Sequence, residues 1–399
     1  MTATCPYSPE DGARPPERDD RKSAELVSRK LVVGPEARVI GGFGLVRELL
    51  RSNLTRQAGV GADGEVVPDP TYTSVFFLDG DAHKRKRQAI SQFFTPKAIS
   101  TRYRVVMEET SDQLLGRLQA KGRGRLDEMS FELAVTVAAQ IVGLTESDQS
   151  AMAKRIQATL VGVRLPQMAW WQKPFGRVLT LAHGLRFQIL DVGPAVKARR
   201  AEPRIDVISQ LIEEGYSEQG ILIECLTYAV AGMVTTREFI VMAAWHLFEN
   251  DPLRERFLQA GEAEQIAILE EIMRIDPVVN VIARRTTSDA DLADGSVEQG
   301  ELLVLNLREA NVDQAMVGEC PHMLDPDRAK RRKINSYLSF GDGAHRCPGA
   351  QIALNETRVF LDRLLRVPGI RLQRRPDLDW TAELLSYELR NAVVVCDRP

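Results

Sequence analysis

The apolar positions of this chain fall mostly at three- and four-residue spacing. From Asp81 to about Val142 they predict a series of amphipathic helices, and the same period returns from Met152 to Ala195. That second block breaks near "LPQMAWWQKPFG", where Trp170, Trp171 and Phe175 cluster beside two prolines. Such a cluster is either a lid over an apolar site or a packed corner. Ser217 then fits the N-cap of a helix running to about Asn250, a rod of roughly 48 Å. Its apolar residues lie nearly all round, which suits a helix through the centre of a core.

Strands are predicted only in short pieces. "RVIGGFGLVRELLRS" reads as strand, glycine turn and helix, and residues 53 to 77 follow as a long loop rich in Gly, Pro, Thr and Asp. "EAEQIAILEEIMRID" is an amphipathic helix ended by Pro277, after which residues 278 to 306 alternate as short strands, and "LLSYELRNAVVVCDRP" adds a last β patch. The pattern therefore predicts a mainly α fold with small β-sheets. There is no internal repeat and no linker between periodic blocks, so residues 26 to 399 are expected to form a single domain, with residues 1 to 25 as a flexible N-terminal arm.

Composition sharpens this picture by exclusion. The 399 residues are 44% hydrophobic and 27% charged, ordinary values for a chain with a large core. The longest uncharged apolar run, Cys225 to Thr236, falls short of the roughly 20 residues of a membrane span. The polar, proline-punctuated N-terminus has no signal-peptide core. A cytoplasmic protein with no membrane partner is expected. A net charge of −3 argues against a nucleic-acid partner. Five irregularly spaced cysteines argue against a disulfide framework.

Candidate chemistry gathers in "SFGDGAHRCPGAQIALNETRVFLDRLL". Two glycines, a histidine and a cysteine form a loop, and Pro348 suits the first position of the following helix, placing Cys347 at its N-terminus. Glycines 341, 343 and 349 let backbone approach a flat ligand. The segment from Phe340 to Gly349 resembles the haem-binding loop of cytochrome P450 enzymes, with Phe340, Gly341, Gly343, His345, Cys347 and Gly349 at every fixed position. Upstream, Glu271-x-x-Arg274 matches the family's E-x-x-R, while His83-x-x-x-Arg87 and Arg284 match positions that contact the haem propionates, with Arg285 a rival for the last. The resemblance covers nearly the whole chain. It departs at a shortened N-terminus and at "ANVDQ", where Val312 replaces a common arginine.

This resemblance implies a single-domain cytochrome P450 fold holding haem b between a long central helix and a cysteine-loop helix. Cys347 becomes the axial iron ligand, while His345, His83, Arg87 and Arg284 neutralise the propionates. Phe340, Gly341 and Gly349 shape the loop, and Glu271 and Arg274 brace it. The implied activity is a monooxygenase that inserts one atom of O2 into a small hydrophobic or aromatic substrate, of the kind found in secondary metabolism. Electrons would come from an acidic ferredoxin and its reductase, docked on two basic patches with Lys84, Arg85 and Lys86 in one and Arg331, Arg332 and Lys333 in the other.

The central helix carries "AGMVTTRE", with Gly232 opening an oxygen groove and Thr235 as its hydrogen-bond donor. The family's usual acid is Val234 here, so proton delivery is atypical. Three readings stand open: protons arrive through Glu238, three residues beyond Thr235; the enzyme uses peroxide or couples substrates oxidatively; or the chain is a non-catalytic haem-thiolate sensor. A zinc site drawn from Cys320, His322, His345 and Cys347 has atypical spacing and leaves the glycines unexplained. Substrate-lining segments are expected at residues 53 to 77, the Trp170 region, Val278 to Val281 and near Ser386.

Overall fold

The computed structural model describes residues 19–31, 33, 36–59, 70–159, 168–332, 337–381 and 386–398. It is mainly helical with four small sheets among the described residues, as the apolar spacing predicts. Two compact units divide the chain, one formed by Met1–Gly59, Met242–Cys347 and Pro376–Arg390, the other by Val60–Val241, Pro348–Arg375 and Asn391–Pro399.

The first unit contains a four-stranded sheet in the order Ala37–Ile40, Leu302–Asn306, Val281–Thr286, Thr55–Gln57. Its first pair is parallel and the others antiparallel. The helix Phe43–Arg51 packs Phe43, Val46, Leu49 and Leu50 against Ile40, Leu303 and Leu305. That helix follows the Gly41-Gly42 turn directly, so the strand–turn–helix reading of this segment is correct. A buried polar hub also lies in this unit. Asp276 accepts hydrogen bonds from the Ser23 backbone and hydroxyl and contacts His246 at 2.8 Å. Burial alone would raise its carboxyl, but His246, Ser23 and Arg308 outweigh that and hold it at about 2.

The second unit is a helical assembly in which Arg104–Lys121 packs against Ala350–Leu364 and Leu126–Val142. Leu126–Val142 is buried on most of its surface, consistent with its nearly continuous apolar sequence. Strands Arg123–Arg125, Val393–Val395 and Arg371–Arg374 form an antiparallel sheet at its edge.

The long central helix begins where the sequence places it. The Ser217 hydroxyl accepts the Gly220 N–H at 3.1 Å, and helix runs from Glu218 to Phe248. It is not one regular rod: Ala229–Val234 widens into a π-helical turn between the α-helices Glu218–Tyr228 and Thr235–Phe248. Turns of this kind recur at functional sites. Among the described residues it is the one helix long and apolar enough to cross a membrane. Yet it carries Glu224, Arg237 and Glu238, all buried and ion-paired, which is the signature of a core helix.

Candidate functional site

The cysteine loop is built by three backbone bonds. Gly341 donates to the Leu338 carbonyl, Arg346 to Gly343, and Cys347 to Phe340 at 2.8 Å. They fold the chain about a 3-10 turn, Gly343–His345. Gly343 has φ +65°, and a Cβ there would lie 2.2 Å from the Leu50 carbonyl oxygen. The sequence reading gave this glycine to ligand approach; the structure gives it to the close passage of the helix Phe43–Arg51. Asp342 ties the same helix down, its Oδ2 accepting from Arg47 at 3.0 Å and Arg51 at 2.9 Å while Oδ1 accepts the Gly343 N–H. Burial pushes its carboxyl up, but the Gly343 N–H, Arg51 and Arg47 bring it below the ordinary carboxylate value.

Cys347 is partly buried and not disulfide-bonded. Its place relative to the next helix corrects the expectation: the helix is Ala350–Leu364 with Gly349 as N-cap, so Pro348 precedes the cap instead of opening the helix. The bond from Cys347 N–H to Phe340 keeps the chain in the loop until the Gly349 carbonyl accepts from Ala353.

Arg284 and His345 meet through a residue that sequence reasoning missed. Gln57 faces Arg284 across the antiparallel strands Thr55–Gln57 and Val281–Thr286. Its Oε1 accepts from Arg284 Nη1, and its Nε2 lies 3.1 Å from His345 Nδ1. Alternation along the strand puts its rival Arg285 on the other face, where it is less buried and donates to the Gly300 carbonyl at 2.8 Å. A lone glutamine at a strand end carries no sequence signal, and only the register reveals it.

His83 and Arg87 lie one turn apart on the helix Gly80–Ile90, His83 buried and Arg87 partly so. Lys86 corrects the proposed docking patch. It is buried, donates to Glu224 Oε1 and the Thr73 carbonyl, each at 2.6 Å, and sits 5.1 Å from the Tyr216 ring centroid. A lysine so enclosed cannot meet a partner; it fastens this helix to the central one. Lys84 and Arg85 remain exposed. Lys333 lies outside the described residues, as do the side chains of Arg331 and Arg332.

Along the central helix, Ala231 and Gly232 are exposed in the π-helical turn while Met233, Val234 and Thr236 are buried. A Cβ on Gly232 would meet nothing within 4 Å, so the glycine borders open space. Thr235 is partly exposed, and its hydroxyl donates to the Ala231 carbonyl at 2.6 Å. Glu238 has a different setting from the relay position expected of it. It is buried and receives both Nε and Nη2 of Arg237 on Oε1, with Arg237 in turn 4.9 Å from the Phe131 ring centroid.

Glu271 and Arg274, the pair matched to E-x-x-R, are joined by two bonds of 2.8 Å. Arg274 also donates to the carbonyls of Asn311, Pro321 and Met323. The third member, which sequence reasoning missed, is Arg328. It is buried, bonds Glu271 Oε1 and donates to four carbonyls between Val317 and Met323. Cys320 in this segment is disulfide-bonded, whereas Cys225, Cys347 and Cys396 are not. No three-residue metal cluster of His, Cys, Asp or Glu occurs among the described residues.

Of the segments expected to line a substrate site, Val279 and Ser386 meet in an isolated antiparallel bridge, with Val278 and Val281 buried beside it. Residues 60–69 and 382–385 lie outside the described residues. Trp170 and Trp171 are exposed, so the packed-corner reading of that cluster does not hold.

Comparison with known proteins follows the same lines. The family profile described as cytochrome P450 matches residues 266–373. The biotin biosynthesis cytochrome P450 of Bacillus subtilis is 27% identical over 77% of this chain and 75% of its own. Cytochrome P450 107B1 of Saccharopolyspora erythraea is 26% identical over 90% of this chain and 85% of its own. Among solved structures, CalO2 superposes with a TM-score of 0.78 at 21% identity, covering 94% of this chain and 95% of the other.

Proposed function

We propose, from the premise that this chain belongs to the cytochrome P450 superfamily, that it oxidises a small hydrophobic or aromatic substrate with electrons from an acidic ferredoxin-type donor in the cytoplasm. The superfamily is one of haem-thiolate monooxygenases. A haem with a thiolate axial ligand supplies the activation of dioxygen needed to oxygenate an unactivated C–H bond. The single observation that carries the assignment is the loop closed by Cys347 N–H on Phe340, in which a partly buried Cys347 follows two glycines of positive φ.

The residues present fit the group in kind. The Cys347 thiol would supply the thiolate ligand. Arg284, already aligned by Gln57, and His345 supply donors for carboxylates, and so do His83 and Arg87. Arg284 and His345 are oriented by their shared contact with Gln57. Asp342 with Arg47 and Arg51 fixes the loop; Glu271, Arg274 and Arg328 fix the segment that leads to it.

Gly232 leaves space beside a helix whose π-turn carries Ala231 outward, and Thr235 holds its hydroxyl on the Ala231 carbonyl. That hydroxyl is the group able to move a proton on this side of the helix. Val234 contributes none, and Glu238 is engaged by Arg237. Proton supply therefore runs through the Thr235 hydroxyl and solvent instead of a fixed carboxylate. The same pair of facts favours a second reading, in which hydrogen peroxide replaces dioxygen and the donor. Turnover compared between a surrogate ferredoxin with its reductase and added peroxide tests both. Activity only with peroxide overturns the ferredoxin-dependent reading, and activity with neither across a broad substrate panel indicates a sensor.

A further inference from the structure

An apolar surface lies on the helix Lys173–Phe187 and the segments on either side of it. Trp171, Phe175, Val178, Leu181, Leu185 and Ile189 are each more than half exposed. Their spacing of three and four residues puts them on one face about 27 Å long. The inward side of the same helix is made of Gly176, Phe187 and the half-buried Thr180 and His183, against the helix Gln149–Thr159. A helix in a water-soluble protein ordinarily turns its apolar stripe inward. This one buries Phe187 and half-buries Leu179, but the rest of its inward side is glycine, threonine and histidine, while Phe175, Val178, Leu181 and Leu185 face outward. Trp170, next to Trp171, extends the exposed face at its N-terminal end.

Charge identifies what covers this face. From Ala169 to Leu190 there is no aspartate or glutamate, while Lys173, Arg177 and Arg186 are cationic. The next acid, Asp191, is buried and held by two bonds of 2.6 Å from Arg155, so it adds no negative surface. In a chain of net charge −3 this is a local concentration of positive charge. A second copy of the chain is a poor occupant, because a twofold contact would set these cations against their own images with no acid in the segment to pair them.

We propose that this face seats the protein on an anionic lipid surface, with Arg177 and Arg186, which are exposed on either flank of the stripe, at the headgroups and the apolar stripe at the acyl boundary. A single-helix apolar face with a tryptophan pair at one end and basic residues interleaved is the composition of an interfacial helix, which needs no complementary groove in its partner. The sequence reading expected no membrane partner because it looked for a spanning segment. The present surface lies on a bilayer and crosses nothing.

The test is cosedimentation of the haem-loaded protein with phosphatidylcholine vesicles, with and without phosphatidylglycerol. Binding is expected only when phosphatidylglycerol is present, weakening as salt screens it, with a blue shift of tryptophan emission that Trp170→Phe/Trp171→Phe removes. Leu181→Ser/Leu185→Ser is expected to weaken partition about tenfold or more, and Arg177→Gln and Arg186→Gln roughly fivefold each. An unchanged reduced carbon monoxide spectrum shows that each variant is folded. The proposal is overturned if vesicles do not bind, or if binding ignores these substitutions. It is equally overturned if sedimentation velocity shows a dimer that Leu181→Ser/Leu185→Ser dissociates. Binding of an acidic peptide helix with one leucine face, sensitive to the same variants while vesicles stay unbound, replaces the lipid by a protein partner.

Discussion

Glu238 Oε1 accepts hydrogen bonds from both Nε and Nη2 of Arg237, its immediate neighbour in the chain, at 2.9 and 2.6 Å. Both residues are buried, and replacing the carboxylate removes the charge that faces the Arg237 guanidinium. Glu238→Gln is therefore expected to destabilise the fold by roughly 2 to 3 kcal/mol, read as a fall in the unfolding midpoint, while the fraction of electrons lost to hydrogen peroxide stays as in the parent. Thr235→Val has the opposite profile, with stability near the parent and peroxide release increased. If Glu238→Gln raises peroxide release with no loss of stability, the glutamate is a relay after all.

Two glycines separate by what surrounds them. Gly343→Ala would force a Cβ against the Leu50 carbonyl at a positive φ, so the variant is expected to lose the haem-thiolate spectrum. Gly232→Ala meets open space in a helix, where alanine gains about 1 kcal/mol. Its unfolding midpoint is expected to hold or rise, while carbon monoxide binds more weakly because the methyl enters the space the ligand uses.

The element pattern was largely legible from apolar spacing: the strand–turn–helix at Ala37–Arg51, the Ser217 cap and the end of the helix before Pro277 stand where the residues indicate. The cysteine loop was legible too, since its fixed residues lie within ten positions. What escaped was whatever depends on partners distant in sequence. Gln57 acquires meaning only from strand register 227 residues away from Arg284. Lys86 and Arg328 looked like surface charge because a buried cation and an exposed one are identical in sequence, and their acids, Glu224 and Glu271, are remote. The π-turn at Ala229–Val234 left no mark beyond a glycine in an apolar run.

Glu356 provides a pH signature of the second unit. It lies fully buried in the helix Ala350–Leu364 with Oε1 lacking a hydrogen-bond partner, and burial raises its carboxyl from 4.5 to about 8. Between these values the folded chain keeps a proton that the unfolded chain has released, so this group's contribution to stability falls as pH rises through the window. Glu356→Gln is expected to flatten that slope and to gain up to roughly 4 kcal/mol over the parent at pH 8. Denaturant titrations of both proteins at pH 5 and pH 8 measure it, and parallel slopes would show that the carboxyl is ionised in the fold.

Gln57 is expected to act with Arg284, because it aligns that guanidinium and contacts His345. Gln57→Leu and Arg284→Leu each speed haem transfer to apomyoglobin about tenfold, the loss of one charge-assisted bond. The double variant is expected to be little faster than either. Fully multiplicative effects would mean that the two residues act separately.

The account rests above all on Cys347. The most direct measurement is the carbon monoxide difference spectrum of the reduced protein beside that of Cys347→Ser. The parent is expected to show the long-wavelength Soret band of a thiolate-ligated haem, and Cys347→Ser to lose it while keeping the helical circular dichroism. A parent that takes up no haem, or a folded serine variant with the same band, would contradict the assignment of this residue as the axial ligand.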